Sequence, residues 1–345
     1  MKPLLAFWML ALLSIFAAHA DPVLITRLGD LLSDKAGTRP FNGVMLVAKG
    51  DKVLFGQSAG WANRQQREPQ SMDHLFVTGS ISKQLSAAML LRQLEQSSHN
   101  LDSSVQTLLP QWQHSWQDPI SLRQLLNHTS GLVRLDQPLK TAPGQIFAYS
   151  NAGYNLAGRV LEELSGSDYR QNLLTLAEAC NMPGLQAWYQ AGQGRLVEGH
   201  TEDQERSIAL NSEPFPRFSL PSGGVVASAA DMLAWNRCLH QGEYLEAESY
   251  QAMIRPSTVR EHRWGELGYG LGLQITPGAI AEFSHSGYVP GYISTLAYYP
   301  AQQISLVVLE NVSWHPADMT RVFYYHDQAR SIILDILAIP TGSQP

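Results

Sequence analysis

Residues 81 to 95 read as a helix with apolar side chains on nearly every side: Leu85, Ala87, Ala88, Met89, Leu90, Leu91 and Leu94. A helix without a polar face belongs in the middle of a protein. The remaining elements must therefore cover it all round. That makes Ser80, at its head, the start of a buried and rigid element. Ser80-Ile81-Ser82-Lys83 places a hydroxyl and an amine three residues apart, and nowhere else in the chain does a lysine follow a serine at that spacing. Residues i and i+3 share a helix face, so the amine can reach the hydroxyl. Burial lowers a lysine's pKa, and a neutral amine can take a proton from a serine that attacks a carbonyl. Gly79 allows a tight turn onto the helix N-terminus, where outward N–H groups can stabilise an oxyanion. A lone Ser-x-x-Lys is weak evidence, because most such pairs sit on a surface.

Two further constellations add to it. Tyr149 and Asn151 lie in a loop before a helix expected over residues 153 to 164. A phenol near an ammonium has its pKa lowered and could relay a proton. The Asn151 amide could bind a substrate carbonyl or hold Lys83, or simply cap the following helix. His285-Ser286-Gly287-Tyr288 closes a strand-like run. Gly287 there would let a ligand approach the backbone. The imidazole or Ser286 could meet a substrate carboxylate, and the Tyr288 N–H could join that of Ser80 as an oxyanion donor.

Around these motifs the texture is mixed. A helix is expected over residues 24 to 37, then strands over 43 to 48 and 52 to 56 joined at Gly50-Asp51. Residues 63 to 73 read as a loop. Helical segments and loops fill residues 100 to 220, including 122 to 126 and 169 to 179, with another helix over 229 to 239. Strands follow over 269 to 275, 280 to 284, 292 to 299 and 304 to 309, and a closing helix over 318 to 337. The expected class is α/β of the α+β kind. It has one mainly antiparallel sheet (about residues 21 to 78 and 222 to 345), flanked by N- and C-terminal helices. A mostly helical region (about 79 to 221) is inserted, and the site lies in the cleft between them.

Residues 1 to 20 have the pattern of a signal peptide: Lys2, a largely apolar run over 3 to 17, and a small-x-small site at Ala18-His19-Ala20. One catalytic domain over 21 to 345 would then be exported to an oxidising compartment, the periplasm, with no stable membrane span after the signal is removed. Cys180 and Cys238, the only cysteines, could pair or remain two buried thiols. The net charge of -6 and the lack of a basic run argue against nucleic acid as a partner.

The three motifs in this order resemble the serine β-lactamase and penicillin-binding-protein superfamily, whose signature includes Ser-x-x-Lys. The closer likeness is to the class C β-lactamase-like branch, with its D,D-carboxypeptidases, esterases and D-amino-acid peptidases. Tyr149-Ser150-Asn151 matches that branch's Tyr-x-Asn, and His285-Ser286-Gly287 matches its Lys-Thr-Gly or His-x-Gly. Residues 125 to 132 (LLNHTSGL), the Pro143-Gly144 lead and Pro221-Ser222-Gly223-Gly224 also look familial. The resemblance spans residues 25 to 338. It implies a β-lactamase/D,D-peptidase-like fold and an acyl-enzyme on Ser80, with Lys83 and Tyr149 handling the proton. Asn151, His285, Ser286, Gly287 and Tyr288 would bind substrate, and no metal or organic cofactor is needed.

Dedicated class C β-lactamases usually carry lysine in the third motif, and no lysine follows Lys140 here. His-x-Gly looks more like the peptidase and esterase members. The reading favoured is an exported serine hydrolase of peptides, amides or esters, for which peptidoglycan D-Ala-D-Ala stems are a plausible substrate. A β-lactamase, an esterase with no peptide role, and a penicillin-binding sensor that acylates without turnover are the alternatives. With an unperturbed pKa near 6.5, His285 would bind carboxylates less well as pH rises through its titration.

Overall fold

The computed structural model describes residues 22–33, 39–112, 116, 119–191, 195–203, 206–209 and 217–338. The stretch read as a signal peptide lies outside them. Among the described residues no helix is long and apolar enough to cross a membrane.

An eight-stranded antiparallel sheet organises the molecule. Its strands are β1 (Gly43–Lys49), β2 (Lys52–Ala59), β3 (Thr258–His262), β4 (Gly265–Tyr269), β5 (Gln274–Thr276), β6 (Glu282–Val289), β7 (Tyr292–Tyr299) and β8 (Ile304–Glu310). Their spatial order is β3-β4-β5-β6-β7-β8-β1-β2. The N-terminal hairpin therefore completes a sheet whose other strands come from the C-terminal third. β1 and β8 lie inside it, and side-chain alternation sends their residues to two cores. Met45, Val47, Leu306 and Val308 face the terminal helices α1 (Pro22–Ser33) and α7 (Tyr324–Leu337), packing with Leu24, Leu28, Ile332 and Ile333. Val44, Leu46, Val307 and Leu309 face the helical region and its larger core.

At the centre of that region is α2 (Ser82–Leu94), with every side chain from Ser82 to Leu91 buried. Around it stand α3 (Leu122–Leu126), α4 (Asn151–Ser165), α5 (Tyr169–Ala179) and α6 (Ala229–His240). Cys180, just past α5, is disulfide-bonded to Cys238 on α6. The bond settles a pairing that the sequence left open.

Some elements differ from expectation. The run expected over 269 to 275 is two strands, because Gly270 and Gly272 interrupt it; a Cβ at Gly270 would lie 2.2 Å from the Met253 oxygen. β3 was not expected at all, its alternation of half-exposed and exposed residues being only weakly apolar. Small sheets also punctuate the helical region, one pairing Phe76–Val77 and Gln186–Ala187 with Val225–Ala227. The closing helix is broken at Phe323, which separates Met319–Val322 from α7.

Candidate active site

Ser80 sits on a single 3-10 turn, Gly79–Ile81, that runs directly into α2. Gly79 has φ +54°, a left-handed conformation that favours glycine. The turn is tied on both sides: Thr78 N–H and Oγ1 donate to the Val225 oxygen, and Ser294 Oγ on β7 donates to the Thr78 oxygen at 2.7 Å.

One helical turn on, Lys83 is wholly buried. Its Nζ lies 3.1 Å from Ser80 Oγ, 2.8 Å from Asn151 Oδ1 and 2.6 Å from the Ser222 main-chain oxygen. Burial holds the Lys83 pKa well below its ordinary value. A neutral amine has two N–H groups and one lone pair. Asn151 Oδ1 and the Ser222 carbonyl can only accept, so they take both N–H groups. The lone pair is then left for the Ser80 hydroxyl.

Tyr149 OH donates to Ser80 Oγ at 2.7 Å. Its pKa is raised, to about 12, since desolvation by the surrounding groups outweighs the opposing effects of Ser80 and Arg260, although the residue as a whole is 38% exposed. This corrects the expectation of a lowered value, which assumed an ammonium at Lys83. Lys83 Nζ stands 4.8 Å from the Tyr149 ring centroid, yet desolvation of the phenol is the larger effect. Tyr149 is thus a held phenol, with its ring 4.3 Å from that of buried His128. Ser150, not Asn151, caps α4 by accepting from the Gly153 N–H, which leaves the Asn151 amide for Lys83.

The third motif lies within β6 rather than at its end. Its Gly287 admits the serine turn: a Cβ there would sit 2.3 Å from the Thr78 oxygen and 3.1 Å from Ser80 N. What approaches this strand is protein backbone, where a ligand was expected. Val289 and Tyr292 flank the two-residue turn between β6 and β7 and pair with each other. Alternation from that pair turns the Tyr288 N–H away from β7, toward the edge that β5 leaves open. A Cβ on Gly79 would meet Tyr288 N at 3.3 Å. The Ser80 and Tyr288 N–H groups therefore border the same gap.

His285 does not behave as expected. It is buried, with Nδ1 2.8 Å from the Ser286 main-chain oxygen and Nε2 3.0 Å from Tyr269 OH. A carbonyl only accepts, so Nδ1 carries the proton and Tyr269 donates to Nε2. Burial, the leading cause, pushes its pKa down to about 3. The imidazole is neutral and both nitrogens are satisfied, which removes it as a titrating partner for carboxylates. Ser286 Oγ likewise accepts from Arg263 at 3.1 Å.

Ser80, Tyr149, Asn151, His285, Ser286 and Tyr288 border one cavity of about 510 Å³. It is also bordered by Arg260, His262 and Arg263 from the β3 hairpin, by Gln274, and by Met319 and Phe323. None of these last residues was singled out from the sequence. The sequence carries no signal for Arg260 and His262, because the strongly apolar residue of Thr258–His262, Val259, faces outward.

The chain matches the Beta-lactamase family over residues 31–330. It belongs to that family. Among relatives, it is 23% identical over 310 residues to penicillin-binding protein 4* of Bacillus subtilis (strain 168), covering 79% of this chain and 68% of that protein. It is 24% identical over 298 residues to a D-aminopeptidase of Gluconobacter oxydans (strain 621H), covering 78% of this chain but only 55% of that one. A solved D-amino acid amidase from Ochrobactrum anthropi SV3 superposes with a TM-score of 0.77 at 20% identity, over 91% of this chain and 99% of that one. That likeness establishes the shared fold. Membership of the Beta-lactamase family is consistent with a serine hydrolase, and the sequence resemblance is confirmed at the level of family and fold.

Proposed function

We propose that this chain is an exported serine hydrolase that forms an acyl-enzyme on Ser80 and cleaves peptide, amide or ester bonds. The observation that carries this reading is a Ser80 hydroxyl held between a neutral amine at 3.1 Å and a protonated phenol at 2.7 Å. Lys83 takes the Ser80 proton as Oγ bonds to the substrate carbonyl carbon. The carbonyl oxygen gathers charge in the gap bordered by the Ser80 and Tyr288 N–H groups. As the bond to the leaving atom breaks, Tyr149 protonates that atom, and the proton on Lys83 restores the phenol. Amine and phenol work as one coupled pair. Water then repeats the sequence on the acyl-enzyme and frees Ser80.

Export is supported by the leader-like residues 1 to 20 and by the Cys180–Cys238 disulfide, a bond typical of oxidising compartments. Peptidoglycan stem peptides fit as substrates because relatives include a penicillin-binding protein. The test is a panel of nitrocefin, a D-Ala-D-Ala peptide and p-nitrophenyl butyrate, run beside Ser80→Ala. Turnover of peptide or ester that Ser80→Ala abolishes is the expected result. Dominant nitrocefin turnover would make the protein a β-lactamase. A stable penicilloyl adduct with no turnover would make it a sensor.

A further inference from the structure

Lys83 is not alone on α2 in reaching the chain segment over residues 221 to 225. Ser82 Oγ accepts from the Val225 N–H at 3.2 Å, and Ser86 Oγ donates to the Pro221 main-chain oxygen at 2.7 Å. The i, i+3 and i+4 spacings put Ser82, Lys83 and Ser86 on one helix face. Opposite that face is a short helical turn, Leu220–Gly223. Its adjacent carbonyls at Pro221 and Ser222 accept from Ser86 and Lys83 respectively.

Ser86 Oγ also lies 3.0 Å from the Ser82 oxygen and 2.7 Å from Tyr169 OH. A serine has a single hydroxyl proton, and carbonyls only accept. That proton therefore serves the carbonyls, with Pro221 at the shorter distance, and the Ser86 oxygen accepts from Tyr169. Burial raises the Tyr169 pKa, which keeps the phenol a donor. The relay runs from the Tyr169 hydroxyl through the Ser86 hydroxyl to the Pro221 carbonyl. Its far end is fixed to α4: the Tyr169 N–H donates to Glu162 Oε1 at 2.9 Å, and a Cβ on Gly158 would lie 3.6 Å from the Tyr169 ring. α4 opens with Asn151, whose amide oxygen is the other acceptor of Lys83. Both acceptors of the amine are thus referred to one framework.

Neither hydroxyl borders the cavity beside Ser80, so neither meets substrate. Their effect is on geometry. If the peptide joining Pro221 and Ser222 drifts, one Lys83 N–H loses its carbonyl and turns to its remaining acceptor, Ser80 Oγ at 3.1 Å. The lone pair then points away from the hydroxyl that it should deprotonate. We infer that Ser86 and Tyr169 are positioning residues for Lys83, holding the peptide between Pro221 and Ser222 where it directs the amine at Ser80. The inference rests on the serine hydrolase reading and adds to it two buried hydroxyls on which proton transfer depends.

The test is the pH profile of p-nitrophenyl butyrate hydrolysis by wild type, Tyr169→Phe, Ser86→Ala and Ser86→Thr. Tyr169→Phe removes one hydroxyl and keeps the ring. The plateau kcat should fall about tenfold in Tyr169→Phe and Ser86→Ala, with little change in KM, and recover in Ser86→Thr, which keeps the hydroxyl. Hydrogen bonds to an ammonium favour the charged form, so a loosened Ser222 carbonyl lowers the Lys83 pKa further and moves the acid limb to lower pH. The titratable groups beside Lys83, namely Tyr149, Tyr154, His128 and His285, are untouched by these substitutions. A lower urea midpoint with kcat and acid limb at their wild-type values would make the pair merely structural and overturn the inference. A reduced plateau with the acid limb unmoved would overturn it too. Wild-type turnover that is absent, or indifferent to Ser80→Ala, would instead overturn the hydrolase reading on which the inference stands.

Discussion

Lys83 shows how a residue's identity and its state can be legible to different degrees. The spacing from Ser80 and the apolar run after it announce a buried amine, and the structure buries it completely. The state of its neighbour Tyr149 is less legible, because the sequence does not say that the phenol is itself desolvated, which raises its pKa. The same limit applies at His285, where the missing information was a phenol 16 residues away in sequence, Tyr269, satisfying Nε2. These states make a single prediction for the pH profile. A lowered lysine pKa means the active neutral amine is present above that value and lost as pH falls through it. kcat/KM for a neutral ester should therefore climb with pH through the Lys83 titration and reach a plateau well below pH ~10.4. No further inflection should appear near ~6.5, because His285 does not titrate there. A step near that pH which His285→Gln abolishes would count against the neutral imidazole.

At the scale of elements, the serine turn and β6 meet through two glycines, Gly79 and Gly287. Motif order predicts that these segments cooperate. It does not reveal that their backbones touch, since a glycine in a strand reads equally as a bulge, a bend or a ligand approach. Gly287→Ala tests the contact. The added methyl would meet the Thr78 oxygen and Ser294 Oγ, each at 2.3 Å, and must push the turn away. We expect a folded protein destabilised by about 1–3 kcal/mol, as for other overpacked sites. Its kcat should drop about 100-fold or more, since a displaced oxyanion donor is lost. Far-UV circular dichroism with denaturant titration measures the first quantity, and ester kinetics the second. Near wild-type turnover would show that the two backbones have room to spare.

Across the whole molecule, the two-part architecture followed from the apolar α2 and from strands clustered at both ends of the chain. The β3 hairpin escaped notice because its residues are too polar for periodicity to stand out, although it supplies one wall of the cleft. Folding also collects histidines that stay neutral in the interior. His128 and His285 both have lowered pKa values, with desolvation as the leading cause. Once unfolded they bind protons below pH ~6.5. Stability from this source is complete above that pH and declines as pH falls toward the folded values, by up to about 1.4 kcal/mol per pH unit for each residue. Glu310 adds a second, lower window. Buried against Arg39, which it meets at 2.6 and 2.5 Å, its carboxyl is lowered to about 2, so its contribution fades only below pH ~4.5. The midpoint of urea unfolding should thus decrease measurably between pH 7 and pH 5. A midpoint constant over that range would falsify the neutral assignment of the buried imidazoles.

The Ser222 oxygen that holds Lys83 belongs to the main chain. Every amino acid carries that carbonyl, so no exchange of side chain at position 222 can delete the anchor. Mutational vulnerability moves instead to whatever places the loop. Pro221 is seated against α4, where a Cβ on Gly158 would come within 2.3 Å of its ring. A proline and a distant glycine, neither with any chemistry to offer, become guardians of the amine's aim.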